Sequence, residues 1–199
     1  MKYLFQILII SLISLVSCKN DTDDPVEKDD SKIYSTFEKI ESNHSNIYFV
    51  NKITPSFDNK ANLFDYDYFY NGSGVGVADF NNDGLKDIIL SANQIENKIY
   101  INKGDLIFED ITIDANINEN KKWSSGVAIA DVNNDGWMDI YISQGGPNAA
   151  NDRKNLLYIN QKDLTFKEQA QEYGLDDEGI STQSAFFDFD KDGDLDCVV

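Results

Sequence analysis

The chain has few of the groups that most enzymes use near neutral pH. Among 199 residues there is one histidine, His44, and two cysteines, Cys18 and Cys197. His44 sits in a polar stretch between Asn43 and Ser45 and reads as a solvated loop residue with no partner that would make it a general base. One histidine and so few thiols cannot build a zinc-type cluster. No Ser-His-Asp set or nucleophile elbow stands out either. Basic residues are also scarce: 17 Lys and Arg against 35 Asp and Glu give a formal net charge of −18. Nucleic-acid binding rests on a basic footprint, so that partner is excluded. The acidic balance suits cation binding or simple solubility.

Long hydrophobic runs are missing, with one exception. Met1-Lys2 leads into an apolar run from Leu4 to Val16, too short to span a bilayer and of signal-peptide length. It ends Leu15-Val16-Ser17-Cys18, which resembles a bacterial lipobox. The resemblance implies that residues 1–17 are a lipoprotein signal peptide and that Cys18 carries lipid, which would anchor the chain in a membrane. The alternative is a plain secretory signal or anchor with an incidental cysteine. After Cys18 comes KNDTDDPVEKDDSK, whose only large apolar residue is Val26. Such a segment cannot offset its ordering entropy by burial, so residues 18–45 are expected to be an acidic flexible tether. Acidic residues beside a lipidated cysteine resemble the export signals of Bacteroidetes-type lipoproteins. That likeness implies an outer-membrane location with exposure at the cell surface. Lipidation of Cys18 leaves Cys197 without an intramolecular disulfide partner. Its apolar surroundings mark it as a small core residue.

What the sequence does have is repetition. Residues 79–87 read DFNNDGLKD, residues 131–139 DVNNDGWMD and residues 188–196 DFDKDGDLD. Repetition at fifty-odd residues points to arrays or propellers. The repeat extends further: NKIYINKGDLIFE at 97–109 aligns without a gap on NLLYINQKDLTFK at 155–167. Each unit reads as four short strands. In the first they are 74–78, 87–90, 98–101 and 106–108. In the second they are 125–130, 139–142, 156–159 and 164–166. Gly104 marks a tight turn between the last two strands of the first unit. Four strands per unit describe a propeller blade. The fold expected over residues 46–199 is therefore all-β, an incomplete β-propeller of two blades and the start of a third. The polar stretch 143–154, six residues longer than its counterpart, is expected to be a surface loop. Residues 46–70 read as a lead-in strand followed by an aromatic one. Tyr66, Tyr68 and Tyr70 would share one face of that second strand, to pack on the first blade or to stack on a sugar.

Calcium takes six to eight oxygen ligands, mainly carboxylates, amides and carbonyls. A nine-residue turn supplies these from side chains at positions 1, 3, 5 and 9 and the carbonyl at position 7, with glycine at position 6 permitting the bend. The proposed ligands are Asp79, Asn81, Asp83, the Leu85 carbonyl and Asp87 in the first loop. In the second they are Asp131, Asn133, Asp135, the Trp137 carbonyl and Asp139. In the third they are Asp188, Asp190, Asp192, the Asp194 carbonyl and Asp196. Asp-Gly alone also favours hairpin turns. A turn does not need acids at both positions 1 and 9 in three copies. An EF-hand fits poorly, because position 12 is Leu90, Ile142 or Val199 instead of a bidentate acid. The third loop carries the most negative charge and is expected to bind most tightly, with the Asp194 side chain pointing outward.

These units resemble FG-GAP/VCBS repeats, the calcium-bearing blades of integrin-α-type β-propellers. A closer likeness is to bacterial lipoproteins of the cartilage-acidic-protein-like and ASPIC/UnbV kind. It is carried by NGSGVGVADFNNDGLKDIILSANQIENKIYINKG, GVAIADVNNDGWMDIYIS and FFDFDKDGDLD. The literal Phe-Gly and Gly-Ala-Pro signatures are absent, as is an ASPIC/UnbV segment. The resemblance implies structural Ca2+ in the blade loops and an adhesion or ligand-binding role, with an extracellular protein or a glycan as partner. An N-terminal part of a calcium-dependent propeller enzyme, a polysaccharide lyase or hydrolase, is the alternative. A scaffold subunit of an outer-membrane uptake complex is a third reading. The last residues match the opening of a second strand, so the chain reads as the N-terminal portion of a longer protein.

Overall fold

The computed structural model describes residues 37–117, 122–147 and 149–199. The expected signal peptide, Cys18 and most of the expected tether lie outside the described residues. Two four-stranded antiparallel sheets dominate the rest. The first contains β1 (Val75–Ala78), β2 (Asp87–Leu90), β3 (Lys98–Asn102) and β4 (Phe108–Asp110), hydrogen-bonded in chain order. The second repeats this with β5 (Ser124–Ala130), β6 (Asp139–Gln144), β7 (Leu156–Asn160) and β8 (Phe166–Glu168). A third unit pairs β9 (Ala185–Phe187) with β10 (Asp196–Val198). The chain is thus an all-β, incomplete propeller of two blades and a third begun, with β1 beside β5 and β5 beside β9. Among the described residues no helix is long and apolar enough to cross a membrane.

The blades pack through their apolar faces. Ile89, Ile99 and Ile101 of the first blade and Ile140, Ile142 and Tyr158 of the second share one buried cluster. Tyr141, Leu157 and Ile159 face the other way and pack against Phe186 and Cys197 of the third unit. The apolar runs of β6 and β7 are therefore continuous because both faces of the second blade are covered, as expected for strands buried on two sides. Each such side chain contributes about 1.5–3 kcal/mol by leaving water. Cys197 is half-buried in this layer, and burial pushes its thiol pKa up.

Near the inner strands the blades meet backbone to backbone. A Cβ on Gly74 would lie 2.8 Å from the Val127 nitrogen, and one on Gly126 would lie 2.6 Å from the Thr182 carbonyl. At Gly76 it would meet Ile89, Ile129 and Val127 side chains at 2.7–2.8 Å. The Gly-Val-Gly-Val pattern is thus a packing requirement on the face toward the second blade. On the opposite face, Val75 and Val77 are exposed.

Four expectations are corrected. Residues 46–70 form no strand; the aromatic segment is a series of turns. Asn62 Oδ1 accepts the N–H groups of Phe64 and Asp65 at 2.9 and 3.2 Å, which bends the chain at once. Tyr66 is accordingly buried against Trp123 while Tyr68 and Tyr70 are exposed, so the three share no strand face. The outer strands also start two residues late, at Phe108 and Phe166. Leu106 and Leu164 have φ of 58° and 67° and belong to the preceding turns. The stretch after Ser143 is not all surface loop: β6 runs on to Gln144, and Gly146 (φ +79°) lies under the Trp123 ring. Finally, His44 lies in a helical turn, Ser42–Ser45, instead of a loop. It is exposed as expected, and its Nε2–H donates to the Asp105 carbonyl at 2.8 Å.

Candidate metal loops

Each acidic loop joins the inner strand of a unit to the next strand, and pairing brings its two ends together. Ala78 opposes Asp87, Ala130 opposes Asp139 and Phe187 opposes Asp196. Positions 4 and 6 take the left-handed conformation that closes the turn. Their φ values are 56° and 89° at Asn82 and Gly84, 56° and 85° at Asn134 and Gly136, and 66° and 98° at Lys191 and Gly193. Asparagine tolerates this region better than most residues, so Asn82 and Asn134 were a readable turn signal beside the glycines.

The first two loops share one hydrogen-bond pattern. Asp79 Oδ1 and Asn81 Oδ1 both accept the Asp83 N–H at 3.1 Å, and Asp79 Oδ2 accepts the Gly84 N–H at 2.8 Å. Asp131, Asn133, Asp135 and Gly136 repeat this at 2.9, 3.1 and 2.7 Å. Side chains at positions 1 and 3 therefore converge on one backbone N–H inside the turn. Asp83 Oδ1 accepts the Leu85 N–H and Asp135 Oδ1 the Trp137 N–H. The Leu85 N–H, helped by the Asn81 side chain, holds the Asp83 carboxyl below its ordinary range. At Asp135 burial works upward, but Lys162, the Trp137 N–H and Asn133 outweigh it and the pKa is lowered. Lys162 Nζ stands 3.2 Å from Asp135 Oδ2.

Position 9 is the deepest. Asp87 and Asp139 are 0% and 1% exposed. Asp87 Oδ2 accepts the Phe80 N–H and Oδ1 the Asn102 N–H, both at 2.8 Å. Asp139 accepts Val132 and Asn160 N–H groups at 2.9 and 2.8 Å. Among the described residues neither has an ion pair. Burial pushes the Asp87 carboxyl up, its two N–H donors oppose this, and Asp83 and Asp79 add repulsion. The same causes push Asp139 up to about 6. A buried carboxylate among like charges with no basic partner is costly. A divalent cation held by hard oxygen donors would relieve that cost, so the donor set fits one.

The third loop is more open. Oxygens of Asp188, Asp190 and Asp196 lie within 4.8 Å of one another, the only such three-acid group among the described residues. Asn81 and Asn133 stand at the middle position of that set in the other loops. Asp192 Oδ1 accepts the Asp194 N–H at 3.1 Å. Bonds from the Asp194 N–H and side chain lower the Asp192 pKa. The Asp194 carboxyl is pushed up, first by its bond with Asp192 and then by that neighbour's charge. The Asp194 side chain is exposed.

Asn102 and Asn160 were missed by sequence reasoning. They end the repeated Tyr-Ile-Asn of β3 and β7, a signal that was present. Their N–H groups hold Asp87 and Asp139, and their Nδ2 groups donate to the Lys86 and Met138 carbonyls.

A second feature lies at the other end of the inner strands. A cavity of about 270 Å3 opens between Tyr68, Asn71, Ser73, Trp123, Thr182 and Gln183. These residues precede β1, β5 and β9, whereas the acidic loops follow them.

Comparison with known proteins agrees with the repeat. A 77-residue stretch, 38% of this chain, is 35% identical to cartilage acidic protein 1 of Xenopus tropicalis. It covers 12% of that protein's length. The family model of the FG-GAP-like repeat matches residues 79–142 and 148–199, which hold all three acidic loops and more than half of the chain. The chain therefore belongs to the FG-GAP-like repeat family.

Proposed function

We propose that the chain is part of a cell-surface β-propeller whose blade loops hold structural Ca2+ and whose opposite end binds a ligand. The observation that carries this is the pair of buried position-9 carboxylates, Asp87 and Asp139, set among other acids without an ion-pair partner. The third loop supports it with the convergence of Asp188, Asp190 and Asp196. Ca2+ would neutralise these charges and tie the two strands of each turn. The side-chain donors would be Asp79, Asn81, Asp83 and Asp87 in the first loop and their counterparts in the others, completed by the Leu85, Trp137 and Asp194 carbonyls. Calcium in this reading is architectural, and the role proposed is binding and adhesion.

The cavity at the far end of the inner strands suits a glycan. The exposed Tyr68 ring offers an apolar face, and Asn71, Ser73, Thr182 and Gln183 surround it with amides and hydroxyls. Lipidation at Cys18, after removal of residues 1–17, would hold the module at the surface of a bacterial outer membrane. Titration calorimetry with Ca2+ should give three ions per chain, and absence of binding would sink the metal reading. A glycan array probed with the protein and with Tyr68→Ala tests the ligand end: a hit that Tyr68→Ala retains at full strength places binding elsewhere. Cys18→Ala should abolish incorporation of labelled fatty acid, and labelling that persists would remove the anchor.

A further inference from the structure

The first two loops are joined to each other. Asn160, at the end of β7, is buried, and its side-chain Nδ2 donates to a carbonyl of the neighbouring blade, Phe80, at 2.8 Å. The Phe80 N–H in turn donates to Asp87 Oδ2 at 2.8 Å. The backbone N–H of Asn160 donates to Asp139 Oδ1 at 2.8 Å. The position-9 carboxylates of both loops are thereby connected through two residues, Phe80 and Asn160. A second tie runs in the other direction, from Asn82 Nδ2 to the Gly136 carbonyl at 3.2 Å. Asn102, the counterpart of Asn160 in the first blade, holds Asp87 and the Lys86 carbonyl of its own loop. The bond to a neighbouring loop is made by Asn160 alone of the pair.

We propose that Asn160 is a positioning residue that couples the two loops, so that a cation held by the first raises the affinity of the second, and the reverse. The coupling rests on the loops being cation sites, as argued above. Occupancy of the first loop restrains Asp87 and, through its bond, Phe80. The Phe80 carbonyl then holds the Asn160 amide, and Asn160 presents its N–H to Asp139. The second loop is thus arranged in advance and loses less freedom when it takes its own cation. Direct repulsion between two cations acts against this, but it does not depend on Asn160. A comparison of backgrounds with and without the bridging side chains cancels it.

Trp137 lies within the second loop, so Tb3+ emission under tryptophan excitation reports chiefly on that loop. A second component from the neighbouring first loop, which Asp79→Asn removes, is fitted separately. The other tryptophan, Trp123, precedes β5, a strand of seven residues, which places it on the order of 20 Å from the loop. The full chain is titrated with Tb3+, and with Ca2+ as competitor, as wild type, Asp79→Asn, Asn82→Gly/Asn160→Ser and the triple variant. Glycine at 82 accepts the positive φ there. Asp79→Asn should weaken the second loop on the order of fivefold when both bridges are intact. It should do so less than about twofold when they are removed. Equal weakening in both backgrounds overturns the coupling while leaving the cation sites standing. Absence of Tb3+ emission in the wild type overturns the sites and the coupling together. Asn102→Ser, which removes the same kind of side chain without a bridge, should leave the coupling at its wild-type value. If Asn160→Ser does not fold, Asn160→Asp, isosteric but unable to donate from its side chain, is taken through the same cycle with the same outcomes.

Discussion

The Phe80 N–H donates to the carboxylate of Asp87 at 2.8 Å, seven residues on. The bond recurs from Val132 to Asp139 at 2.9 Å and from Phe189 to Asp196 at 2.7 Å. The last acid of each loop thus closes the turn from within, and in the first two units it does so while buried. That double duty, as hydrogen-bond acceptor and as uncompensated charge, makes the loops sensitive to pH and to cations.

Metal-free stability should fall as pH rises from about 4 to about 6. The Asp139 carboxyl titrates at about 6 in the fold, above the ordinary 3.8, and Asp87 is shifted in the same direction. The folded state therefore binds their protons more tightly than the unfolded chain. The penalty is absent below the ordinary carboxylate value and complete above the folded one. Calorimetric scans in EDTA should show the melting temperature dropping over that window, with Asp139→Asn flattening much of the drop. With Ca2+ bound the fall should disappear over that window, because the cation displaces the protons. The gain from Ca2+ should then grow from about pH 4 to about 6.

Lys162→Met should raise the Ca2+ affinity of the second loop by a few-fold and reduce its dependence on salt. The Lys162 ammonium lies 3.2 Å from Asp135 and competes for a carboxylate the cation would use. An exposed pair is worth about 0–1 kcal/mol, so the effect is modest. Unchanged affinity, read by Tb3+ emission from Trp137, would mean that Asp135 does not serve the cation.

Two glycines should fail for different reasons. Gly76→Ala forces a methyl to within 2.7–2.8 Å of Ile89, Val127 and Ile129. It should cost about 1–3 kcal/mol by overpacking without changing cation affinity. Gly84→Ala meets no atom within 4 Å but requires φ of +89°. It should cost about 1–2 kcal/mol in backbone strain and weaken the first loop. Denaturant melts with and without Ca2+ separate the two.

Much of this was legible because the chain repeats itself. Acids at positions 1 and 9, glycine at 6 and the strands on either side recur, so each copy could be checked against the others. The segment before β1 has no second copy. There the alternation of Tyr66, Tyr68 and Tyr70 imitated a strand, while the deciding interaction was local, from the Asn62 side chain to the N–H groups of Phe64 and Asp65. Leu106 and Leu164 were misread because β-type side chains hid a left-handed backbone. The contact of Asn160 with Phe80 spans 80 residues and arises from blade packing. No local pattern could reveal it, although the repeated Tyr-Ile-Asn marked the residue.

Asp190→Asn, which gives the third loop the asparagine of the other two, should weaken the tightest class of Ca2+ sites toward the affinity of the others and leave those unchanged. Asp190 belongs to the converging acids of the third loop, where the first two loops have asparagine. Titration calorimetry of the variant against the wild type checks this. Weakening of a weaker class instead would reverse the expected order of the loops.

The central claim is that these loops are held by cations, and a melting curve tests it most directly. The full chain at pH 7 should melt about 10 °C or more higher in Ca2+ at a hundred times its dissociation constant than in EDTA. This follows from about 2.7 kcal/mol per filled site and about 2–4 °C per kcal/mol for a chain of this size. Identical melting temperatures in Ca2+ and EDTA would contradict the account.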